Sequence, residues 1–129
     1  MPTLKAQRLS ESQEDYLEAI LALESEGAPV AVAAIASRKG VSMPSVHGAL
    51  KRLERLSLVR HGRYDYVQLT PAGRRRAQGV AGRHELLRRF LSEVLGVSPK
   101  VAEADACAIE HHLSTATVEA LTAFVGRRP

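Results

Sequence analysis

Gly40-Val41-Ser42-Met43-Pro44-Ser45-Val46 is a stop signal followed at once by a start signal. Glycine favours the left-handed backbone that closes a helix. Two residues later Ser42 is a preferred N-cap, and Pro44 suits a first helical turn. Val46, Leu50, Leu53 and Leu56 then recur at helical spacing. One helix is predicted to end at Gly40 and another to begin at Ser42, so a very short turn joins them.

The flanks extend this pattern. Upstream, Ser10 to Ser12 offers N-caps, and Tyr16, Leu17, Ile20, Leu21 and Leu23 trace an apolar helical stripe that Gly27 and Pro29 end. Val32 to Arg38 fits a second helix, with Val32, Ile35 and Ala36 inward. After Leu58 and Val59 the period shortens. Tyr64, Tyr66, Val67 and Leu69 read as strand residues, with Gly62 and Asp65 as turn formers. Helix, helix, glycine turn, helix and β-hairpin is the order of a winged helix-turn-helix. Pro71 then opens a long helix through Ala77, Val80, His84, Leu87 and Leu91 to about Leu95, and two shorter helices fit Lys100–Leu113 and Thr115–Val125. The expected class is mainly α.

Charge supports a polyanionic partner. Residues 37–83 hold 11 Lys and Arg against the acids Glu54 and Asp65, whereas residues 84–129 hold 5 against 6. A local excess of this kind is the footprint of a nucleic-acid surface, although a solvated basic face looks the same. On the predicted recognition helix, Ser42, Pro44, Ser45, His47, Lys51, Arg52 and Arg55 are candidate DNA contacts. Small hydroxyls near the start can meet phosphates or base edges, and the cations farther along can neutralise phosphates. Arg60, His61 and Arg63 fall on the wing. No aromatic platform for single strands is present, so duplex DNA is the expected target.

Cys107, Glu110 and His111 follow one another at spacings of three and four, on one face of a helix. Asp15 and Glu18 share a face of the first helix, His84 lies on the long helix, and Glu103 sits one turn before Cys107. Each residue has an ordinary reading: Cys as a small core residue, the acids as solvated or dipole-favoured charges, His84 as a core or surface histidine. His112 is expected to point away. If the helices converge, the set can hold a six-coordinate metal. Carboxylates and imidazoles suit Fe(II) or Mn(II), and the thiol leans toward Fe(II) while admitting Zn(II), Co(II) or Ni(II).

Composition excludes several classes. The chain has 129 residues, 45% of them hydrophobic, and one cysteine, so an intrachain disulfide is impossible. A reducing, cytoplasmic setting is expected. No apolar run approaches a membrane span, and Met1–Gln13 has no signal-peptide core. A metal-dependent hydrolase is the expectation least favoured. His84-Glu85-Leu86-Leu87-Arg88 lacks the second histidine of a zinc-protease helix, and no nucleophile–base pair is evident. A winged-helix regulator that senses no metal is the other alternative.

Taken together, residues 12–20 (Ser-Gln-Glu-Asp-Tyr-Leu-Glu-Ala-Ile), 40–46, 50–54 (Leu-Lys-Arg-Leu-Glu), 69–73 (Leu-Thr-Pro-Ala-Gly), 83–87 (Arg-His-Glu-Leu-Leu) and 109–114 (Ile-Glu-His-His-Leu-Ser) resemble the diphtheria toxin repressor family of metal-dependent regulators, manganese transport regulators included. The resemblance runs from about Ser10 to Leu121. It implies a homodimer with a DNA-binding domain over 1–73 and a helical dimerisation and metal-binding domain over 74–129. It implies a non-enzymatic repressor of metal homeostasis acting on a duplex operator, with the metal held between the two regions by Asp15, Glu18, His84, Cys107, Glu110 and His111.

By the same resemblance, Cys107 points to iron and Asp15 to manganese. Glu103 and Arg88 depart from a second site of the iron type. Gly48 stands where a longer polar side chain is common, and Lys39, where an apolar residue is usual, is expected to extend its ammonium to solvent. The chain's end at Pro129 leads to the expectation that the extra C-terminal domain of longer members is absent.

Overall fold

The computed structural model describes residues 8–27 and 29–126, which fall into two compact units divided between Gln78 and Gly79. The part of the leader reading that covers residues 1–7 lies outside the described residues.

In the first unit, helix α1 (Glu11–Glu24) starts with a reciprocal capping box. Ser10 Oγ accepts from the Gln13 N–H at 3.0 Å, and the Ser10 N–H donates to Gln13 Oε1 at 2.9 Å. These two bonds satisfy orphan donors of the helix start. Strand β1 (Val30–Ala31) leads into α2 (Val32–Lys39), which ends on Gly40 at φ 68°. Helix α3 (Met43–Arg55) follows, with Ser42 Oγ accepting from the Ser45 N–H at 3.2 Å and Pro44 in the first turn. The stop and start predicted from Gly40 and Ser42 are both present.

Strands β2 (Val59–His61) and β3 (Tyr66–Leu69) pair antiparallel, and β1 adds to the other edge of β3. The register pairs Val59 with Leu69 and His61 with Val67, so the hairpin tip falls at residue 64. Tyr64 is therefore a tip residue and not a strand residue as its type suggests. It has φ 62° and is 84% exposed, and Asp65 beside it also has positive φ. The two-residue β1 is too short to leave a period in the sequence. Tyr16, Leu17, Ile20, Val32, Ile35, Val46, Leu50, Leu53, Val59 and Val67 form the core of this unit. Full burial of such a side chain contributes roughly 1.5–3 kcal/mol.

Helix α4 (Pro71–Arg89) begins in the first unit. Its start is tied to β3 and the end of α3. Thr70 Oγ1 donates to the Ser57 carbonyl at 2.7 Å and accepts from the Gly73 N–H at 3.0 Å. Gly73 lies so close to Leu58 that an added Cβ would clash with the Leu58 carbonyl oxygen. Only glycine permits that approach.

In the second unit α4 ends at Arg89, earlier than its periodicity suggests. Residues Phe90–Val94 form a wider π turn, and Gly96 at φ 75° closes the segment. Phe90 packs edge-on against Phe124 at 6.1 Å between centroids. Helix α5 (Pro99–Ile109) is capped by Ser98, and α6 (Thr115–Gly126) starts where Ser114 Oγ accepts from the Thr117 N–H at 3.1 Å. Val80, Leu87, Ala102, Ala106 and Val125 are buried. No helix among the described residues is long and apolar enough to cross a membrane.

Candidate metal centre and nucleic-acid face

The end of α5 departs from its expected form. Glu110–His112 is a 3₁₀ turn that follows α5 directly, and the Glu110 N–H still bonds the Ala106 carbonyl, so Glu110 stays on the side of the helix that carries Cys107. Arg83 supplies a reason. Its Nε donates to the Glu110 carbonyl at 2.8 Å, so this carbonyl is satisfied from outside the helix. Arg83 thereby shapes the turn that orients a ligand candidate. Its position beside His84 was the available signal, but its partner could not be read from the sequence.

Glu110 is 1% exposed, the one buried charged residue recorded among those described. Its Oε1 lies 2.7 Å from His84 Nδ1, and its Oε2 lies 3.6 Å from His111 Nε2. Cys107 Sγ lies 3.8 Å from the same His84 Nδ1. The thiol is exposed, which removes the small-core-residue reading of Cys107. His84 Nε2, on the far side of the ring, meets Glu103 Oε2 at 2.9 Å. Glu103 thus orients the imidazole from behind, as carboxylates do for metal-bound histidines. His112 is exposed, in keeping with its expected outward direction.

Electrostatics fit this packing. Burial disfavours the imidazolium of His84, but the hydrogen bonds to Glu103 and Glu110 outweigh it and raise its pKa above the ordinary histidine value. One donor atom each from His84, Cys107 and Glu110 lies within 4.8 Å of the others. Nitrogen, sulfur and carboxylate oxygen converging on one point, with the thiol open to solvent, form a donor set that fits a divalent transition metal. His111 stands at the other carboxylate oxygen of Glu110. Asp15 and Glu18 lie on α1 in the first unit, both partly buried.

The second set of sequence candidates sits on α3 and the wing. Val46, Ala49, Leu50 and Leu53 turn into the core, leaving Ser45, Lys51, Arg52 and Arg55 exposed on the rest of the helix. Pro44, Arg60 and Arg63 are exposed as well, and His47 is half-buried. Ser42 is engaged locally: besides capping α3, its hydroxyl donates to Ser45 Oγ at 3.0 Å. Gly48 leaves a gap on this helix, because an added Cβ would meet only the Arg52 guanidinium at 3.8 Å. Lys39 does not reach open solvent as expected. Its Nζ lies 4.5 Å from the Tyr16 ring centroid, a cation–π contact with α1.

Comparison with known proteins decides the family. Residues 8–67 match the model of the iron-dependent repressor N-terminal DNA-binding domain, and residues 70–128 match that of the iron-dependent repressor metal-binding and dimerisation domain. The transcriptional regulator MntR of Salmonella typhimurium is 41% identical over 111 residues, covering 86% of this chain and 70% of MntR. The chain belongs to the iron-dependent repressor family.

The diphtheria toxin repressor of Corynebacterium diphtheriae, another relative of this family, is 36% identical, covering 82% of this chain and 47% of that protein. Among solved structures, a manganese-dependent transcriptional repressor in complex with manganese superposes with a TM-score of 0.81 at 31% identity, over 90% of this chain. The chain spans about half the length of that structure, 53%. The fold of this iron-dependent repressor family member is thus a winged helix-turn-helix followed by a helical region, as the sequence pattern predicts. The relatives matched are named as transcriptional regulators and repressors.

Proposed function

We propose that this chain is a metal-dependent, DNA-binding transcriptional repressor of metal-ion homeostasis, activated by Fe(II) or Mn(II). The convergence of His84, Cys107 and Glu110 within 4.8 Å carries the reading. Asp15, Glu18 and His111 are proposed as further ligands, on the family resemblance. The donor set does not choose between the two metals: the Cys107 thiol favours iron, and the carboxylates suit manganese. Names of relatives lean both ways, toward manganese and toward iron.

When bound, a divalent ion supplies a positive centre that cross-links carboxylate, imidazole and thiolate groups. Glu103 holds the His84 ring in place, and Arg83 holds the turn bearing Glu110. Were Asp15 and Glu18 to ligate the same ion, it would restrain α1 and with it the recognition helix α3. Two half-sites on duplex DNA require a set spacing. Restraint therefore removes part of the ordering cost of binding. Ser45, His47, Lys51, Arg52 and Arg55 meet the operator, with Arg63 on the wing and Pro44 at the helix start. Ser42 acts mainly as the cap that fixes that start.

A homodimer is part of the proposal, with the DNA-binding domain over 1–73 and the dimerisation and metal-binding domain over 74–129. Leu95, Val101, Ile109 and Phe124 are between 41% and 58% exposed in the second unit. Large apolar side chains left open together are what an interface between copies covers. No enzymatic role is proposed.

The test is a DNA mobility shift against Mn(II), anaerobic Fe(II), Zn(II) and chelator. Metal-dependent retardation that Asp15→Ala and Glu110→Ala both abolish supports the reading. Retardation unaffected by chelator favours a winged-helix regulator without metal control.

A further inference from the structure

The first unit holds a second cluster of metal-ligand type. His47 comes from α3, His61 from the end of β2, and Asp65 from the wing turn. Asp65 Oδ1 receives both imidazoles, His61 Nε2 at 3.0 Å and His47 Nε2 at 3.4 Å. The two rings stack with centroids 5.4 Å apart and planes 26° from parallel. One donor atom from each of the three residues lies within 4.8 Å of the other two.

We propose that His47, His61 and Asp65 form a further divalent-metal site, of the two-imidazole, one-carboxylate kind, which takes Zn(II) or a similar borderline ion. The set is well matched to such ions, which accept imidazole nitrogen and carboxylate oxygen together. Three protein ligands leave at least one coordination position open for water or another anion. Glu54 flanks the same hollow with Lys51, and its Oε2 accepts from the His61 N–H at 3.4 Å. The hollow is reachable: the side chains of His47, His61 and Asp65 are 42%, 19% and 51% exposed. Gly48, next to His47, adds no side chain to close it.

Two further features agree. Asp65 is aimed between the histidines by a turn in which both Tyr64 and Asp65 adopt left-handed backbone. Such a conformation is unfavourable for residues other than glycine and persists where the surroundings hold it. The hydrogen bond from His47, then that from His61, also holds the Asp65 carboxyl below its usual pKa. Binding requires each imidazole to present its Nε2 lone pair to the ion, with the ring proton on Nδ1. An ion there joins the recognition helix to the wing through three side chains. The proposal does not rest on the centre at His84, and it stands whether or not the chain binds DNA.

The experiment is a Zn(II) titration of the full chain, followed by long-range ¹H–¹⁵N spectra of the histidine rings and by equilibrium dialysis. His47→Gln and His61→Gln assign the two signals. Asp65→Asn removes the carboxylate charge while keeping a residue that tolerates left-handed backbone. The expected result is a joint shift of the His47 and His61 Nε2 signals, separate from that of His84. Asp65→Asn and His61→Gln should each retain one zinc fewer per chain, with affinity at this site down about tenfold or more. Unmoved His47 and His61 signals through the end of the zinc titration would overturn the site, whatever His84 does. So would an unchanged zinc count in both variants, and the cluster would then be a hydrogen-bonded clamp between helix and wing.

Discussion

His84 Nδ1 and Glu110 Oε1 lie 2.7 Å apart, and the Glu110 side chain is almost wholly withdrawn from water. A carboxylate in that position is tolerated because an imidazole faces it, and the imidazole is held from behind by Glu103. Glu110→Ala leaves the imidazole without its buried partner, and should destabilise the metal-free chain by about 1–3 kcal/mol. Glu110→Gln keeps a hydrogen-bonding oxygen, so most of that stability should remain while metal binding weakens at least tenfold. Urea unfolding in chelator, paired with metal titration calorimetry, separates the two effects.

Cys107 supplies the soft donor beside His84. Replacing it by a carboxylate, Cys107→Glu, hardens the set and should favour Mn(II) over Zn(II) relative to the native chain. Competition between the two ions in dialysis reads this directly. An unchanged preference would mean that the thiol does not ligate.

Gly73 is in contact with the Leu58 carbonyl. Gly73→Ala cannot be accommodated without moving the start of α4 away from Leu58, and overpacking of this kind costs about 3 kcal/mol. Thermal unfolding followed by circular dichroism should show a clearly lower midpoint.

Gly48 is the opposite case. A methyl group there meets only the end of a flexible Arg52 side chain. Gly48→Ala should therefore raise stability by up to about 1 kcal/mol, the helix-propensity difference. A drop in stability would show that the recognition helix needs glycine for a reason beyond propensity.

Lys51 and Arg55 are exposed on α3, opposite its buried stripe. If they neutralise operator phosphates, Lys51→Ala and Arg55→Ala should each weaken binding to all sequences alike. Each should also flatten the salt dependence of log K by about one unit. Binding isotherms at several salt concentrations test this.

The first unit was largely legible in the amino-acid order because its signals are local. Ser10, Gly40, Ser42 and Pro44 cap or start helices within a few residues, and the stripe through Val46, Leu50 and Leu53 shows which face is buried. The hairpin was legible only in part. Tyr64 has the composition of a strand residue, but the pairing of β2 with β3 puts the tip there. The metal candidates were legible as residue types at suggestive spacings. Their partners were not: Glu103 behind His84 and Arg83 on the Glu110 carbonyl are contacts between helices.

What the sequence determined by itself was the order of elements, the basic helix and the inventory of donor atoms, since each follows from short-range backbone preference, periodicity or side-chain chemistry. Only the tertiary structure decided how those donors group. It ended α5 at Ile109 and turned Glu110 toward His84, and it brought His47, His61 and Asp65 from a helix, a strand and a turn to one point. Side chains far apart in the chain meet only through the packing of the elements that carry them, and no local pattern encodes that packing.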